Sequence, residues 1–363
     1  MALNQKLAVL FLVPYPLNRA PSQRFRFEQY FRFLGEKNIG YTVQSFLDEK
    51  SWNILYSKGN RMRKLWGVIK GFARRKWQML QLGGYDYVFI HREAAPLGPP
   101  VFEWWIAKIA GKKIIYDFDD ALWLPDNSHE NQLVAWFKWR KKTAYICKWA
   151  WKVSAGNSYL ADYAGLYNTN VVLNPTTIDQ AWHAAAIKHE YNRTHDAIIG
   201  WTGSHSTMKY LEPFIPVMEE LEKKYRLEFL LISNKKPAWT LKSLRCWPWS
   251  EKTEVEDLRR IDIGIMPLPD DDWAKGKCGF KVLQFMALEI PVVASPVGVN
   301  SILIHNNENG FLASSTEEWI EKLQLLIENP ELRKKFGIAG RKTVEEKYSV
   351  NANKENFLQL FQI

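Results

Sequence analysis

The sequence predicts an α/β protein made of two Rossmann-like, doubly wound domains that face a central cleft. Three observations carry that expectation. The chain has 363 residues, more than one domain of roughly 100–200 residues needs. Short, continuous apolar runs alternate with helical patterns, as strands of a parallel sheet covered on both faces do. The alternation also occurs twice, in two blocks separated by a polar, Ala-rich stretch with no strand signal.

The first block, residues 1–179, opens with "LAVLFLV" (Leu7–Val13) as a buried strand. Further strands are expected at Tyr41–Phe46, Tyr87–His91, Lys113–Asp117, Lys152–Ala155 and Val171–Leu173, with a helix over Arg24–Leu34. About six parallel strands result. "NPTTID" (Asn174–Asp179) closes the block, and 180–195 reads as a linker. The second block, 196–347, starts with "AIIGWTG" (Ala197–Gly203), a strand ending in glycine. A helix follows, with Leu211, Phe214, Ile215, Met218 and Leu221 on one face. Pro213 and Pro216 require a kink or an irregular start there. "LEFLLIS", "IDIGIMPL" and "PVVAS" supply more strands, and from Thr316 onward the chain is helical. Ligands are expected at the carboxyl ends of both sheets.

Composition narrows the partners. Hydrophobic residues at 47% and charged residues at 24% make an ordinary globular balance. The net charge of +10 favours acidic partners. No nucleic-acid module is visible, so nucleotide phosphates and an anionic membrane surface lead and nucleic acid does not. Cys147, Cys246 and Cys278 are odd in number and widely spaced, which suits a reducing compartment without disulfides or zinc. Leu7–Val13 is too short to span a bilayer. A cytoplasmic protein, peripheral on the inner face of the plasma membrane, is expected.

Six stretches carry candidate chemistry. "KGKCGFK" (Lys275–Lys281) precedes a helix expected at Phe280–Glu289. A helix start presents unpaired N–H groups and a partial positive charge to anions. Gly276 and Gly279 allow close backbone approach, Lys277 and Lys281 add charge, and Gln284 lies one turn beyond Lys281. The plain alternative is a solvated Lys-rich loop. "GWTGSHSTMKYL" (Gly200–Leu211) offers Gly203 with the Ser204, Ser206 and Thr207 hydroxyls, either a phosphate cradle or an ordinary capped turn. "YDFDDALW" (Tyr116–Trp123) places Asp117, Asp119 and Asp120 at a strand end, a position for binding a metal or steering a sugar hydroxyl, or else for capping a helix and pairing with a nearby Lys or Arg; their place in the half without the phosphate cradles speaks against the metal. "NRAPSQRFR" and "HREAAPLGPP" bring Arg19, Arg24, Arg26, His91, Arg92 and Glu93 to loops after strands; an ion pair is as natural as a functional role. "KGNRMRKLWGVIKGFARRKWQML" (Lys58–Leu80) interleaves cations with large apolar residues. It suits either an interfacial helix on anionic lipid or a helix packed on the sheet.

Taken together, "GFKVLQFMALEIPVVASPVGVNSILIHNNENGFLA", "IGWTGSHSTMKYL", "DIGIMPLPDD" and "LNPTTID" resemble, in order and spacing, the retaining glycosyltransferases of family 4 (glycosyl transferases group 1). The resemblance covers nearly the whole chain and is most specific over Ile261–Ala313. It implies the GT-B fold, an acceptor domain followed by a nucleotide-sugar domain, and a final helix within 348–363 crossing back to the first domain. It implies transfer of a hexose-type sugar from a UDP- or GDP-sugar to a glycan or lipid-linked acceptor, in cell-surface polysaccharide or glycoconjugate synthesis, with no essential metal and no cofactor beyond the donor. Lys281, Lys277, Asp119 and Asp120 are then expected at the reaction centre. Gly203, Ser204, Ser206, Thr207, Lys209, Pro267, Gly279, Phe280 and Gln284 are expected at the donor, and Arg19, Arg24, His91, Arg92 and Glu93 at the acceptor. Two departures stand out: Gln284 occupies the place of the family's ribose-contacting Glu, and Gly276 that of its other Glu. They motivate a second class, a catalytically reduced sugar-nucleotide-binding or scaffold protein. An epimerase or phosphorylase on the same fold is a third.

Overall fold

The structure is a computed structural model that describes residues 7–55, 57, 59–125, 138–181 and 196–361. Its contacts divide into two compact units, one running to Thr176 and taking in the segment from Asn353, the other spanning Thr177–Ala352. The linker expected at 180–195 lies outside the described residues beyond Ala181.

The first unit is a six-stranded parallel sheet. Its strands are β1 (Ala8–Val13), β2 (Gly40–Ser45), β3 (Tyr87–His91), β4 (Lys113–Phe118), β5 (Lys152–Ala155) and β6 (Val171–Leu173), in the order β2-β1-β3-β4-β5-β6. Helices cover β1 and β3, so "VLFLV" and "YVFIH" are buried throughout, which is why they read as unbroken apolar runs. An aromatic cluster seals one face: Phe11 packs 4.8 Å from Phe89 and 5.6 Å from Phe27. The last helix, Val350–Leu358, adds to this face, with Phe357 stacked on Tyr30 at 4.4 Å.

The helix expected over Arg24–Leu34 is instead three pieces: Pro21–Arg24, a 3-10 turn at Glu28–Tyr30, and Phe31–Glu36. Phe25, Arg26 and Phe27 are all buried. Three successive residues on an α-helix sweep through roughly 200°, so one continuous helix cannot bury them all against one sheet.

The second unit repeats the plan with β7 (Ala197–Gly203), β8 (Leu227–Ser233), β9 (Leu244–Pro248), β10 (Ile263–Met266), β11 (Val292–Ala294) and β12 (Gly310–Leu312), ordered β12-β11-β10-β7-β8-β9 and parallel throughout. The two Pro residues have the effect expected of them. After β7 the chain enters a 3-10 segment, Met208–Phe214, with Pro213 inside it, and the α-helix begins only at Ile215, with Pro216 in its first turn. The helix Thr316–Glu328 starts from a capping box in which Ser315 and Glu318 each bond the other's backbone N–H. In this sheet the strand order reverses between β7 and β10, the switch point where a doubly wound sheet binds its ligand.

Candidate functional site

At that switch point β7 ends in Gly203, and the helix Phe280–Ala287 begins beside it. Gly279 is the residue that turns the chain into this helix. Its φ of +68° lies in the left-handed region, and a Cβ there would stand 2.4 Å from Leu303 Cδ1. Only glycine meets both demands. No side chain caps the helix start. Asn157, Asp271, Ser315 and Asn329 do cap theirs, whereas Gly279 has no side chain with which to do the same.

Lys281, in that first turn, turns toward β7. Its ammonium lies 4.1 Å from the ring centre of Trp201, which is itself buried, and 3.5 Å from Thr207 Oγ1. Gly203 makes room for it: a Cβ there would come within 2.5 Å of Lys281 Nζ and 2.4 Å of the Trp201 ring. Burial, and then the neighbouring Lys277 ammonium, pull the Lys281 pKa down to about 7. A cation held against a ring face and beside a like charge gains free energy when an anion arrives.

The turn after β7 supplies hydroxyls. Ser204 and Ser206 are 2.8 Å apart through their Oγ atoms, and Thr207 donates both its N–H and its hydroxyl to Ser204 O at 3.0 Å. Asn234, after β8, accepts from His205 N at 2.9 Å and fixes the turn. Lys281, Gly203, Ser204, Ser206, Thr207 and Gly279 are thus gathered at one place. The other expected donor residues stand differently. Lys209 lies over Tyr210, and Lys277 over Trp273 at 4.9 Å. Phe280 is half-buried, and Pro267 is buried directly after β10. Gln284 is only 1% exposed, and its Nε2 has no hydrogen-bond partner among the described residues. The amide expected at a ribose is therefore enclosed and meets a ligand only if it turns outward.

In the first unit the strand-end charges compensate one another. Asp117 is fully buried and takes Arg26, His91 Nδ1 at 2.8 Å and the Ser154 hydroxyl at 2.6 Å. Its carboxyl is driven far below the usual range; the Arg26 charge and the His91 hydrogen bond outweigh the opposing effect of burial. His91, expected at the acceptor, is 0% exposed: its ring serves this network and does not face solvent. Arg92 adopts φ +61° and pairs with both expected carboxylates, Asp119 at 2.7 Å and Asp120 at 2.6 Å. Asp119 is held below its ordinary value, Arg92 offsetting the cost of burial. Neither carboxylate stands as an isolated acid or base here, and among the described residues no group of three or more His, Cys, Asp or Glu could hold a metal ion. Glu93 pairs with Lys142 at 2.6 Å, Arg19 with Glu49 at 2.9 Å, and Arg24 is buried over Phe25. Sequence reasoning gave no role to Trp201 and Asn234, and it singled out Arg26 and Asp117 without pairing them with each other.

Residues 196–329 match the Glycosyl transferases group 1 family. The Lys281 site lies wholly inside that domain. Whole-chain comparison finds the same fold in a glycosyltransferase from Rickettsia africae ESF-5, with a TM-score of 0.69, 15% identity, and coverage of 99% of this chain and 98% of that one. Anabaena HepE in complex with UDP-glucose gives 0.66 at 11% identity, covering 98% and 99%. Sucrose-phosphate synthase from Thermosynechococcus elongatus gives 0.65 at 13% identity, covering 98% of each chain. The chain thus has the GT-B fold of two Rossmann-like units, and its group 1 domain holds the uncapped helix and Lys281.

Proposed function

We propose that this protein is a retaining glycosyltransferase that moves a sugar from a UDP- or GDP-sugar to a glycan or lipid-linked acceptor, in cell-surface polysaccharide or glycoconjugate synthesis. One observation carries the reading: inside the group 1 domain, Lys281 Nζ sits between Trp201, Thr207 and the Gly203 turn, at a helix start with no side-chain cap. When the glycosidic bond of a nucleoside diphosphate sugar breaks, negative charge builds on the departing phosphate. Lys281, with Lys277 nearby, and the first-turn N–H groups stabilise that charge more than they stabilise the ground state. The Ser204, Ser206 and Thr207 hydroxyls orient the oxygens. These cations meet the electrostatic need that a metal would otherwise meet, so no essential metal is part of the reading. The complex with UDP-glucose reported for HepE, a protein of the same fold, supports a nucleotide sugar as donor. The reading includes a peripheral station on the inner membrane face, where a lipid-linked acceptor is met.

The test is Lys281→Ala assayed against a panel of UDP- and GDP-sugars. Loss of a donor-charge stabiliser should lower turnover on the order of 100–1000-fold with the fold intact by circular dichroism. Near-normal transfer would remove Lys281 from the mechanism. The enclosed Gln284 amide favours one second reading, a catalytically reduced sugar-nucleotide-binding protein. Tight donor binding without transfer or hydrolysis of any sugar in the panel would select it.

A further inference from the structure

The helix Arg61–Met79 has two faces with opposite fates. Gly67, Gly71, Arg75 and Gln78 are buried. Arg75 anchors this side over the carboxyl ends of the strands, donating to Val13 O at 2.8 Å, Gln44 O at 2.9 Å and Ala94 O at 2.7 Å. The opposite side carries Met62, Trp66, Ile69 and Trp77, which recur at helical spacing on one stripe. They are 77%, 58%, 46% and 60% exposed. A helix already anchored by one face has no structural need of a second apolar face, and large exposed apolar patches mark interaction sites.

The stripe has a neighbour. The crossovers β2→β3 and β3→β4 run the same way across the sheet, and right-handed crossovers in one direction put their helices on one face. The helix Val101–Trp104 and its π-helical continuation Trp105–Ile109 therefore lie beside Arg61–Met79, with Phe72 and Phe102 in ring contact at 6.1 Å. Trp104 and Trp105 are also exposed. Cations flank the aromatic rings: Arg63, Lys70 and Lys76 on the first helix, Lys108 on the second. Arg61–Met79 contains no acidic residue at all, and Glu103 of the second helix is buried.

The whole excess of positive charge belongs to this unit. Residues 1–176 hold 25 Lys and Arg against 13 Asp and Glu, a balance of +12. Residues 177–352 hold 23 against 25, a balance of −2. We infer that the outer face of Arg61–Met79 and Val101–Ile109 docks the protein on an anionic phospholipid bilayer. Tryptophan rings occupy the headgroup level, and the flanking cations meet lipid phosphates. Charge complementarity decides the occupant: a second copy of this chain would bring the same cations to the same face and be repelled. The inference deepens the membrane station of the proposed reading by naming the surface that makes it; it does not depend on the donor or on the transfer step, so vesicle binding can fail while sugar transfer stands, and the reverse.

The experiment is co-flotation of the full chain with vesicles of phosphatidylcholine alone and of phosphatidylcholine with phosphatidylglycerol, using Trp66→Gln/Trp77→Gln and Lys70→Glu/Lys76→Glu variants. The wild type should float with the anionic vesicles and much less with the neutral ones. Each double variant should lose at least about tenfold in partitioning, and salt should weaken binding of the wild type. All altered side chains are at the surface, so the melting temperature should hold; should either variant melt early, Met62→Gln/Ile69→Gln replaces it. No flotation of the wild type, flotation indifferent to both substitutions, or a dimer in sedimentation velocity that the Trp variant breaks while vesicles are ignored, would each overturn the inference.

Discussion

If the donor diphosphate is received at Lys281 as proposed, the depressed pKa of that lysine makes donor binding a protonation event. With its pKa pulled down to about 7, the side chain is half neutral at pH 7 and about nine-tenths neutral at pH 8 in the empty site. A bound diphosphate is an anion beside it and restores the charged form. Binding above pH 7 therefore takes up a proton, and affinity is full below pH 7 and falls as pH rises toward the pKa of the complex. If the complex keeps Lys281 charged across the range, the dissociation constant for a nucleotide sugar should rise about tenfold from pH 6 to pH 8 and about thirtyfold by pH 8.5. A nucleotide sugar is the right probe because its diphosphate diester does not titrate there, whereas the terminal phosphate of UDP does. Isothermal titration calorimetry in two buffers of different ionisation enthalpy should report uptake of nearly one proton at pH 8. Lys281→Met should bind weakly with a flat profile. A flat wild-type profile without proton uptake, or a Lys281→Met variant that keeps the slope, would refute the electrostatic argument. The same shift has a stability sign. The native pKa lies below the unfolded value of 10.5, so the cost of charging the lysine is fully present below pH 7 and is relieved as pH rises from 7 toward 10.5.

Other expectations follow from the same contacts. Gly203→Ala puts a methyl group where Lys281 Nζ and Trp201 already stand; overpacking should cost about 1–3 kcal/mol in urea unfolding and weaken donor binding measured by calorimetry, and unchanged affinity would show that Lys281 is not seated as described. Asp117→Asn leaves the buried Arg26 charge without its counter-ion, so denaturant unfolding should show a loss of about 3–5 kcal/mol. Because Asp117's native pKa is depressed below 3.8, its contribution is complete at neutral pH and is lost as pH falls below that unfolded value. Acid unfolding of the wild type should therefore track this carboxylate, and a variant as stable as wild type at pH 7 would contradict the network.

The fold was legible where burial is two-sided. β1, β3 and β8 are buried along nearly their whole length, so their sequences are dominated by apolar residues, with Glu228, Ser233 and His91 the polar exceptions. β9 and β12 escaped because they are edge strands: Leu244–Pro248 mixes Arg245 with half-buried neighbours, and Gly310–Leu312 has three residues. Such stretches lack a period to read. The break in Arg24–Leu34 was hidden for another reason. Arg26 reads as a surface residue, and its burial rests on partners far along the chain, Asp117, 91 positions away, together with Ser154 and Asn174 O.

The site was legible through backbone requirements and illegible through pairing. Gly203, Gly279 and Lys281 are visible because a glycine before a helix and a cation in its first turn are local patterns. Trp201 is not, since a tryptophan in a strand reads as core whether or not it carries an ammonium on its face. Charge pairing separates the two units more sharply than any motif does. At the ends of β3 and β4, Arg92 answers Asp119 and Asp120, Arg26 answers Asp117, and Lys142 answers Glu93. At the end of β7, Lys281 meets an aromatic face, a hydroxyl and a like charge, with no carboxylate ion pair among the described residues. A carboxylate paired at 2.6–2.7 Å already has its charge compensated, whereas a cation kept from its counter-ion by the fold gains most from an incoming anion. That difference, rather than the number of polar residues at a strand end, is why we propose anion binding in the second unit and a loop-holding role for the first unit's paired carboxylates.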